Sequence, residues 1–420
     1  MSTFRKAQLR RIFRVVNGGT PNSEPSNWDG DVPWATPVDV GIFNGGIIHG
    51  TGRSLSEAGL ASGSSAVPSG SLILSTRAPI GYVAQVSERT AFNQGCRGLV
   101  STEELDVRYF RYQLLAMSEV LHSRGQGSTF QELSSDGLAG SSIFIPRPAE
   151  QRAIADYLDR ETARIDALIE KKQHLLGLLD ERRMAVTADS VSGRFTSNRL
   201  VPSTLLWLPW RGANWRETKL TLVARLGSGH TPSRDHREWW EECKIPWVTT
   251  GEVAQLRSDR VEFLYDTREK ISELGVANSS AEVHPKDTVV LCRTASAGYS
   301  GIMGTAMATS QDFATWTCGP LIRPRFLLLC LRAMRQDLLG RLAMGSTHQT
   351  IYMPDIEALR VPLPEVNEQD AIVDAVWVRL HKIDAAIDGL HRQIDLLGEH
   401  RHALITAAVT GDMEMPGVAA

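Results

Sequence analysis

The sequence has 420 residues, 42% of them apolar, with 45 Lys/Arg against 48 Asp/Glu and a formal net charge of −3. That length suits two to three domains of ordinary soluble composition, and the charge balance excludes a dominant acidic or basic tail. The five cysteines (96, 243, 292, 318, 330) have no CxxC or Cys/His metal spacing, and their odd number argues against a secreted disulfide framework.

Taken in chain order, the N-terminal segment carries Arg5, Lys6, Arg10, Arg11 and Arg14, a candidate phosphate contact or a solvated helix face. It lacks the long apolar region and cleavage site of a signal peptide. The apolar run Phe326–Cys330 is far too short to span a bilayer. These features lead us to expect a cytoplasmic protein with no membrane contact. Short β-rich runs follow at Ser71–Ser75 and Ile143–Pro146, broken by Gly, Ser and Pro turns, with a helical segment at 104–123 between them. A long helix then starts near Pro148. Leu158, Ile165, Lys172 and Leu179 fall seven apart, with Leu168, Leu175 and Leu176 between, and Lys172 is the one polar break. Residues 190–216 read as a joint rich in Ser, Pro and Gly, whose Trp207, Trp210 and Trp215 are expected to staple it to a domain, the alternative being a surface-exposed interaction cluster.

The chain then repeats itself. Residues 127–193 align without a gap against 345–411, at a constant offset of 218. Both copies keep Gly-Ser-Thr, a Gln (151, 369), Ile-Asp-Ala (165–167, 383–385) and a closing Gly (193, 411). The second heptad row is Val376, Ile383, Leu390 and Leu397, with Ile387 and Ile394 between, and Asn367 is a candidate cap. Such stripes should pair as a coiled coil of helices about 38 residues, roughly 57 Å, long. Upstream, with gaps, Gly19-Thr20-Pro21 parallels His230-Thr231-Pro232, and Val32-Pro33-Trp34 parallels Ile245-Pro246-Trp247. Residues 69–86 parallel 286–303, and 92–100 parallel 309–317. β-Rich runs recur at Thr288–Cys292 and Leu359–Pro362, and a helical segment at 324–343. The order is a globular unit, a long helix, a second globular unit and a second helix.

The expected fold is therefore two copies of a mixed α/β (α+β) globular domain joined by two long antiparallel coiled-coil helices, an internal repeat with pseudo-twofold character. Expected boundaries are 1–147 for the first globular domain, 148–190 for the first helix and 191–216 for the linker. The second domain is expected at 217–364, its helix at 365–411 and a tail at 412–420.

Each globular unit carries G-x-T-P, Pro-Trp, an Arg separated from Gly-Tyr by three or four residues, and Gly-Ser-Thr. Each is followed by P-x-x-x-E-Q-x-x-I (Glu150, Gln151, Ile154; Glu368, Gln369, Ile372) and I-D-x-x-I (Ile165, Asp166, Ile169; Ile383, Asp384, Ile387). Over nearly the whole chain this pattern resembles the specificity subunit of type I restriction-modification systems. The second unit departs in having Ser-Gln-Asp (310–312) where the first has Asn-Gln-Gly (93–95), and in its Trp-containing lead.

The resemblance implies a DNA-recognition subunit in which each globular domain is a target-recognition domain reading half of a bipartite duplex target. The helices would set the spacing and dock two methyltransferase (modification) subunits, with restriction/translocase subunits joining a full restriction complex. S-adenosylmethionine, and ATP with Mg, would be bound by those partners and not by this chain. Arg and Lys pair with guanine, Asn and Gln with adenine, while Ser, Thr and Tyr position phosphates or bases. The loop candidates for DNA contact are Thr20, Asn22, Ser23, Arg77, Tyr82, Asn93, Gln94, Arg97, Ser128 and Thr129 in the first unit. In the second they are Thr231, Ser233, Arg234, Arg293, Tyr299, Gln311, Thr347, His348 and Gln349. Arg77 and Arg293 have an alternative role, anchoring loops through backbone carbonyls. Candidates for helix pairing or subunit docking are Gln151, Ile154, Leu158, Ile165, Leu168, Leu179, Gln369, Ile372, Val376, Ile383, Ile387 and Leu397.

Residues 1–145 hold twelve Lys/Arg and twelve Asp/Glu. A lone DNA binder usually has a basic face, so weak binding is expected until partners enclose the duplex. Catalytic signatures are missing: no G-x-x-x-x-G-K-[S/T] loop, only a partial Gly motif at Leu226–Gly229, and no Asn/Asp-Pro-Pro-aromatic tetrapeptide. His400 and His402 face different ways on a helix, and Asp355 with Glu357 form an isolated acidic pair, so no metal or nuclease centre is expected. The rival reading is an assembly scaffold that does not read DNA.

Overall fold

The computed structural model describes residues 4–127, 131–343 and 349–414. Its chain divides into two compact units, Met1–Lys172 with Arg392–Ala420, and Gln173–His391. Both unit boundaries fall inside long helices.

In the first unit a five-stranded sheet contains β1 (Phe13–Asn17), β2 (Ile47–Ile48), β3 (Leu72–Ser75), β4 (Val83–Val86) and β5 (Cys96–Ser101), in the spatial order β1-β5-β3-β4-β2. Its strands pair antiparallel except β2 with β4. The run Leu72–Ser75 is apolar throughout because both faces are covered. Leu72 and Leu74 enter a core with Phe13, Leu99 and Phe110, while Ile73 enters another with Val40, Ala84 and Phe92. A four-stranded sheet (Ser54–Leu55, Trp28–Ala35, Thr90–Phe92, Ser65–Val67) lies beside it in the chain path, and α1 (Pro37–Ile42) follows its longest strand. The basic N-terminal residues occupy a strand, Arg5–Gln8, a 3-10 turn and the start of β1. The helix-face alternative for them is thus replaced by a strand edge, because Arg5–Gln8 pairs antiparallel with Ser142–Ile145. The helix α2 runs over Pro148–Val191.

The second unit repeats this plan. Its sheet contains β6 (Ala224–Ser228), β7 (Phe263–Leu264), β8 (Val289–Cys292), β9 (Ser300–Met303) and β10 (Phe313–Cys318), in the order β6-β10-β8-β9-β7. Val289 and Leu291 face one core, Val290 and Cys292 the other. The short helix α3 (Val253–Leu256) follows Ile245–Val248, as α1 follows its own strand, and α4 spans Val366–Thr410. Asn367, expected as a cap, lies in the first turn, where the Gln369 amide already donates to Glu365 O at 3.0 Å.

At 44 and 45 residues, the helices exceed the length of about 38 residues expected from the apolar stripes. Within each unit their segments run antiparallel. In the first, Ile154 and Leu158 share a core with Ile405, Ala408 and Val409, Asp166 pairs with Arg401 at 2.9 Å, and Lys172 Nζ donates to Gln393 Oε1 at 2.6 Å. The polar break in the stripe thus has a polar partner. In the second, Arg183 pairs with Asp384 at 2.9 Å, and Val186 and Val191 share a core with Ile372, Val376 and Trp377. Asp166 and Asp384 are equivalent by the repeat, as are Arg183 and Arg401. One ion pair is therefore built twice, with the helices exchanging roles. Gly193 and Gly411 end the helices at φ +84° and +74°, a conformation that favours glycine. A Cβ there would strike Trp215 and Phe4, respectively. Of the linker tryptophans, Trp215 is buried and donates to Glu368 at 3.0 Å, Trp207 donates to Arg360 O, and Trp210 is exposed. Among the described residues, no helix is long and apolar enough to cross a membrane.

Candidate nucleic-acid interface

In the first unit, strand register gathers three loops at one end of the sheet. Arg97 lies opposite Asn17, where β1 ends, and Cys96 opposite Ser75, where β3 ends. The G-x-T-P loop, the turn carrying Arg77 and Tyr82, and the Asn93–Arg97 loop therefore meet. Thr20 donates to the Gln94 side chain, and Asn93 Oδ1 accepts from Gly95 N at 2.9 Å, which shapes that loop. Arg97 donates to Ser135 Oγ at 2.7 Å and to the carbonyls of Gln94 and Cys96. Ser135 in turn donates to Asn17. Arg77 and Arg97 share one carboxylate, Glu132, at 3.0 and 3.3 Å.

Other candidates have structural partners. Asn22 accepts from Asn27 and Glu24, and its carbonyl takes the Trp28 indole N–H. Ser23 is exposed, and half-buried Tyr82 packs on the sheet core. The Gly-Tyr pair has a steric cause: Gly81 and Gly298 adopt φ +99° and +89°, and a Cβ would press on Ser118 and Arg335.

The second unit repeats the pairing with different surroundings. Thr231 donates to Gln311 Oε1 at 2.6 Å, and Arg293 Nε donates to Gln311 O at 2.9 Å, a loop anchor through a carbonyl. Asp312, where the first copy has glycine, accepts from Thr294 and Ser310. Ser233 Oγ accepts from Asp235 N, Arg234 pairs with Glu269 and lies over the Trp240 ring, and Tyr299 lies under Arg335. Gln349 is exposed. Ser128, Thr129, Thr347 and His348 lie outside the described residues. Asn17, Glu132, Ser135 and Glu269 are partners that no linear pattern flags, because each meets its loop only through strand order.

The helix candidates divide by depth. Gln151 and Gln369 are 1% and 0% exposed and fasten each helix to its own lobe. Gln151 accepts from Asp106 N at 3.1 Å and donates to Pro146 O at 2.9 Å. Gln369 accepts from Arg323 N at 2.8 Å and donates to Leu321 O and Pro364 O. Ile154, Leu158, Ile165, Ile372, Val376 and Ile387 are buried. Ile383, Leu179 and Leu397 are half-buried, and Leu168 is exposed together with Leu175, Leu178 and Leu396. The apolar stripe therefore leaves water at the lobes and remains wetted along mid-helix, where the lobe cores do not reach.

Burial pushes the thiols of Cys96 and Cys292, at these sheet ends, up to about 12 and about 11. At neutral pH both stay protonated and unsuited to nucleophilic attack. What the loops offer is hydrogen-bonding and cationic side chains on a pinned framework. Residues 217–364 hold seventeen Lys/Arg and seventeen Asp/Glu, so the second lobe is as balanced as the first.

The family model for the type I restriction modification DNA specificity domain matches residues 1–176 and 213–396. The chain belongs to this family. It is a specificity subunit of a type I restriction-modification system with two target-recognition domains. This specificity subunit is 23% identical to the type I restriction enzyme MjaIX specificity subunit of Methanocaldococcus jannaschii, over 97% of its own length and 93% of the relative's. It is 24% identical to the EcoBI specificity subunit of Escherichia coli, over 74% and 65%. Two solved structures share its fold at 15% identity. One, from work on complex assembly and conformational transition of the type I R-M system, gives a TM-score of 0.70 over 98% of both chains. The HsdS subunit from Thermoanaerobacter tengcongensis gives 0.53 over 98% of this chain and 97% of that one.

Proposed function

We propose that each lobe reads one half of a bipartite DNA target through its sheet-end loops. The long helices set the spacing between the half-sites and dock two methyltransferase subunits in the cytoplasm. The observation that carries this reading is the duplicated cluster, Thr20–Gln94 and Thr231–Gln311, formed at the same sheet end of each unit amid unlike neighbours. A common frame with divergent loops suits one docking plan and two different sequences. The wetted leucines 168, 175, 178 and 396 suit partner docking. Methyl transfer, with S-adenosylmethionine, and translocation, with ATP and Mg, belong in this reading to partner subunits. Half-sites fall on one face of the duplex only when separated by about one turn, roughly 34 Å, or a multiple.

The Glu132 carboxylate between Arg77 and Arg97 supports weak DNA binding by the isolated chain. The test is replacement of residues 1–145 by the corresponding lobe of a relative, followed by mapping of methylated bases in cells. One half-site should change while the other and the spacer persist. Changes in both would sink the modular reading, and no change in either would favour the scaffold.

A further inference from the structure

The helices α1 and α3 occupy equivalent places in the two lobes, each after a Pro-Trp strand, and their inward faces agree. Asp39 on α1 and Glu252, the last residue of the 3-10 turn leading into α3, are buried carboxylates tied to backbone amides of Gly52 and Arg268, both at 2.9 Å, while Val40 and Val253 enter the core. Their outward faces differ. On α1, Val38 and Ile42 are each 71% exposed, whereas the matching positions are Gly251 and Gln255.

α1 is not a stray surface helix. Thr36 and Asp39 cap it reciprocally. Pro37 packs against Gly95, next to Gln94, and Gly41 packs against Tyr82. The helix that carries the apolar ridge therefore packs against two of the loops assigned above to DNA. Val and Ile are stiff at χ1, so the ridge is presented with little rotamer freedom left to lose.

We infer that Val38 and Ile42 determine specificity in the first half-site by contact with the C5-methyl group of thymine. This rests on the proposed function. The occupant follows from the setting: the major-groove edge of a base pair is polar except for the thymine methyl. A pair of exposed apolar prongs, on a helix that packs against the loops carrying Gln94 and Tyr82, matches that one feature. The second lobe, with Gln255 at the matching place, has no such reader there.

The experiment uses the full chain assembled with its modification subunits and a duplex carrying the mapped target. Each thymine is replaced in turn by deoxyuridine, which removes only the methyl group. In the wild type, deoxyuridine at one or two positions of the first half-site should weaken binding about fourfold each, the worth of one buried methylene-sized group. In Val38→Ser/Ile42→Gln, which leaves no methyl group at either position, thymine and deoxyuridine at those positions should bind alike, while every deoxyuridine effect in the second half-site persists. That second half-site also reports that the variant is folded. A wild type indifferent to deoxyuridine in the first half-site overturns the inference, as does a first half-site lacking thymine on both strands. A variant that no longer assembles with the modification subunits overturns it too, by making the ridge a protein-docking surface. In all three cases sequence-selective binding by the wild-type complex would survive. If the parent reading fails, the complex shows no sequence selectivity in either half-site, and this inference falls with it.

Discussion

The two places where each lobe meets the rest of the chain's chemistry have diverged to different degrees. At the helix starts, Gln151 and Gln369 make the same clamp, accepting from the amide of a preceding loop and donating to the proline carbonyl just ahead of the helix. At the sheet ends the Thr–Gln pair and the Gly-Tyr turn recur, but the side chains around them do not. Arg77 faces a carboxylate and Arg293 a carbonyl, and α1 shows apolar prongs where the second lobe has Gly251 in the 3-10 turn ahead of α3 and Gln255 on α3. A buried polar clamp tolerates little change, since any replacement orphans several groups at once. An exposed loop end is free to vary while the frame beneath it holds.

The sharpest way to break this comparison is the duplicated ion pair, which has one chemistry and two environments. Arg183–Asp384 is mostly buried, so Asp384→Ala should cost about 3 kcal/mol by leaving a buried guanidinium short of a partner. Asp166 is half exposed, so Asp166→Ala should cost under about 1 kcal/mol. Urea unfolding of both variants checks this, and equal losses would show that burial does not rank the two sites. Next in size, Gln151→Leu and Gln369→Leu should each lose about 2 kcal/mol, by similar amounts, because the same backbone groups go unpaired. A clear inequality in unfolding midpoints would mean that the clamps are not equivalent.

At the loop ends the expected effect is on binding. Glu132→Gln releases Arg77 and Arg97 from their shared carboxylate and should tighten non-specific DNA binding, steepening its salt dependence by about one unit of log–log slope. Titration at several salt concentrations reads this, and an unchanged slope would mean that neither cation reaches phosphate. The smallest effect belongs to His284, buried beneath the second lobe's sheet, where desolvation holds its pKa below 6.5. The unfolded chain takes up this proton more readily than the folded one. His284's contribution is therefore full above pH 6.5 and declines as pH falls toward the lower folded value. His284→Gln should flatten the acid side of the stability profile by a fraction of a kcal/mol, and a parallel profile would argue against it.

Much of the architecture was readable from the chain alone. The heptad rows, the constant-offset repeat and the recurring Gly-x-Thr-Pro and Gly-Tyr pairs are local signals, set by spacing of a few residues and by backbone conformations that favour glycine. They sufficed for two lobes and two long helices, and the family resemblance carried by Glu-Gln-x-x-Ile supplied the function. Tertiary structure decided which atoms meet. Thr20 finds Gln94 only because β5 lies beside β1, and Arg77 finds Glu132 through an isolated bridge between segments 55 residues apart, pairings that no linear pattern states. It also decided which apolar residues stay in water. Leu158 and Leu168 belong to one stripe, yet a lobe core covers the first and not the second. Val38 and Val40 differ by two positions on α1, which turns them to opposite faces, one toward solvent and one toward the core.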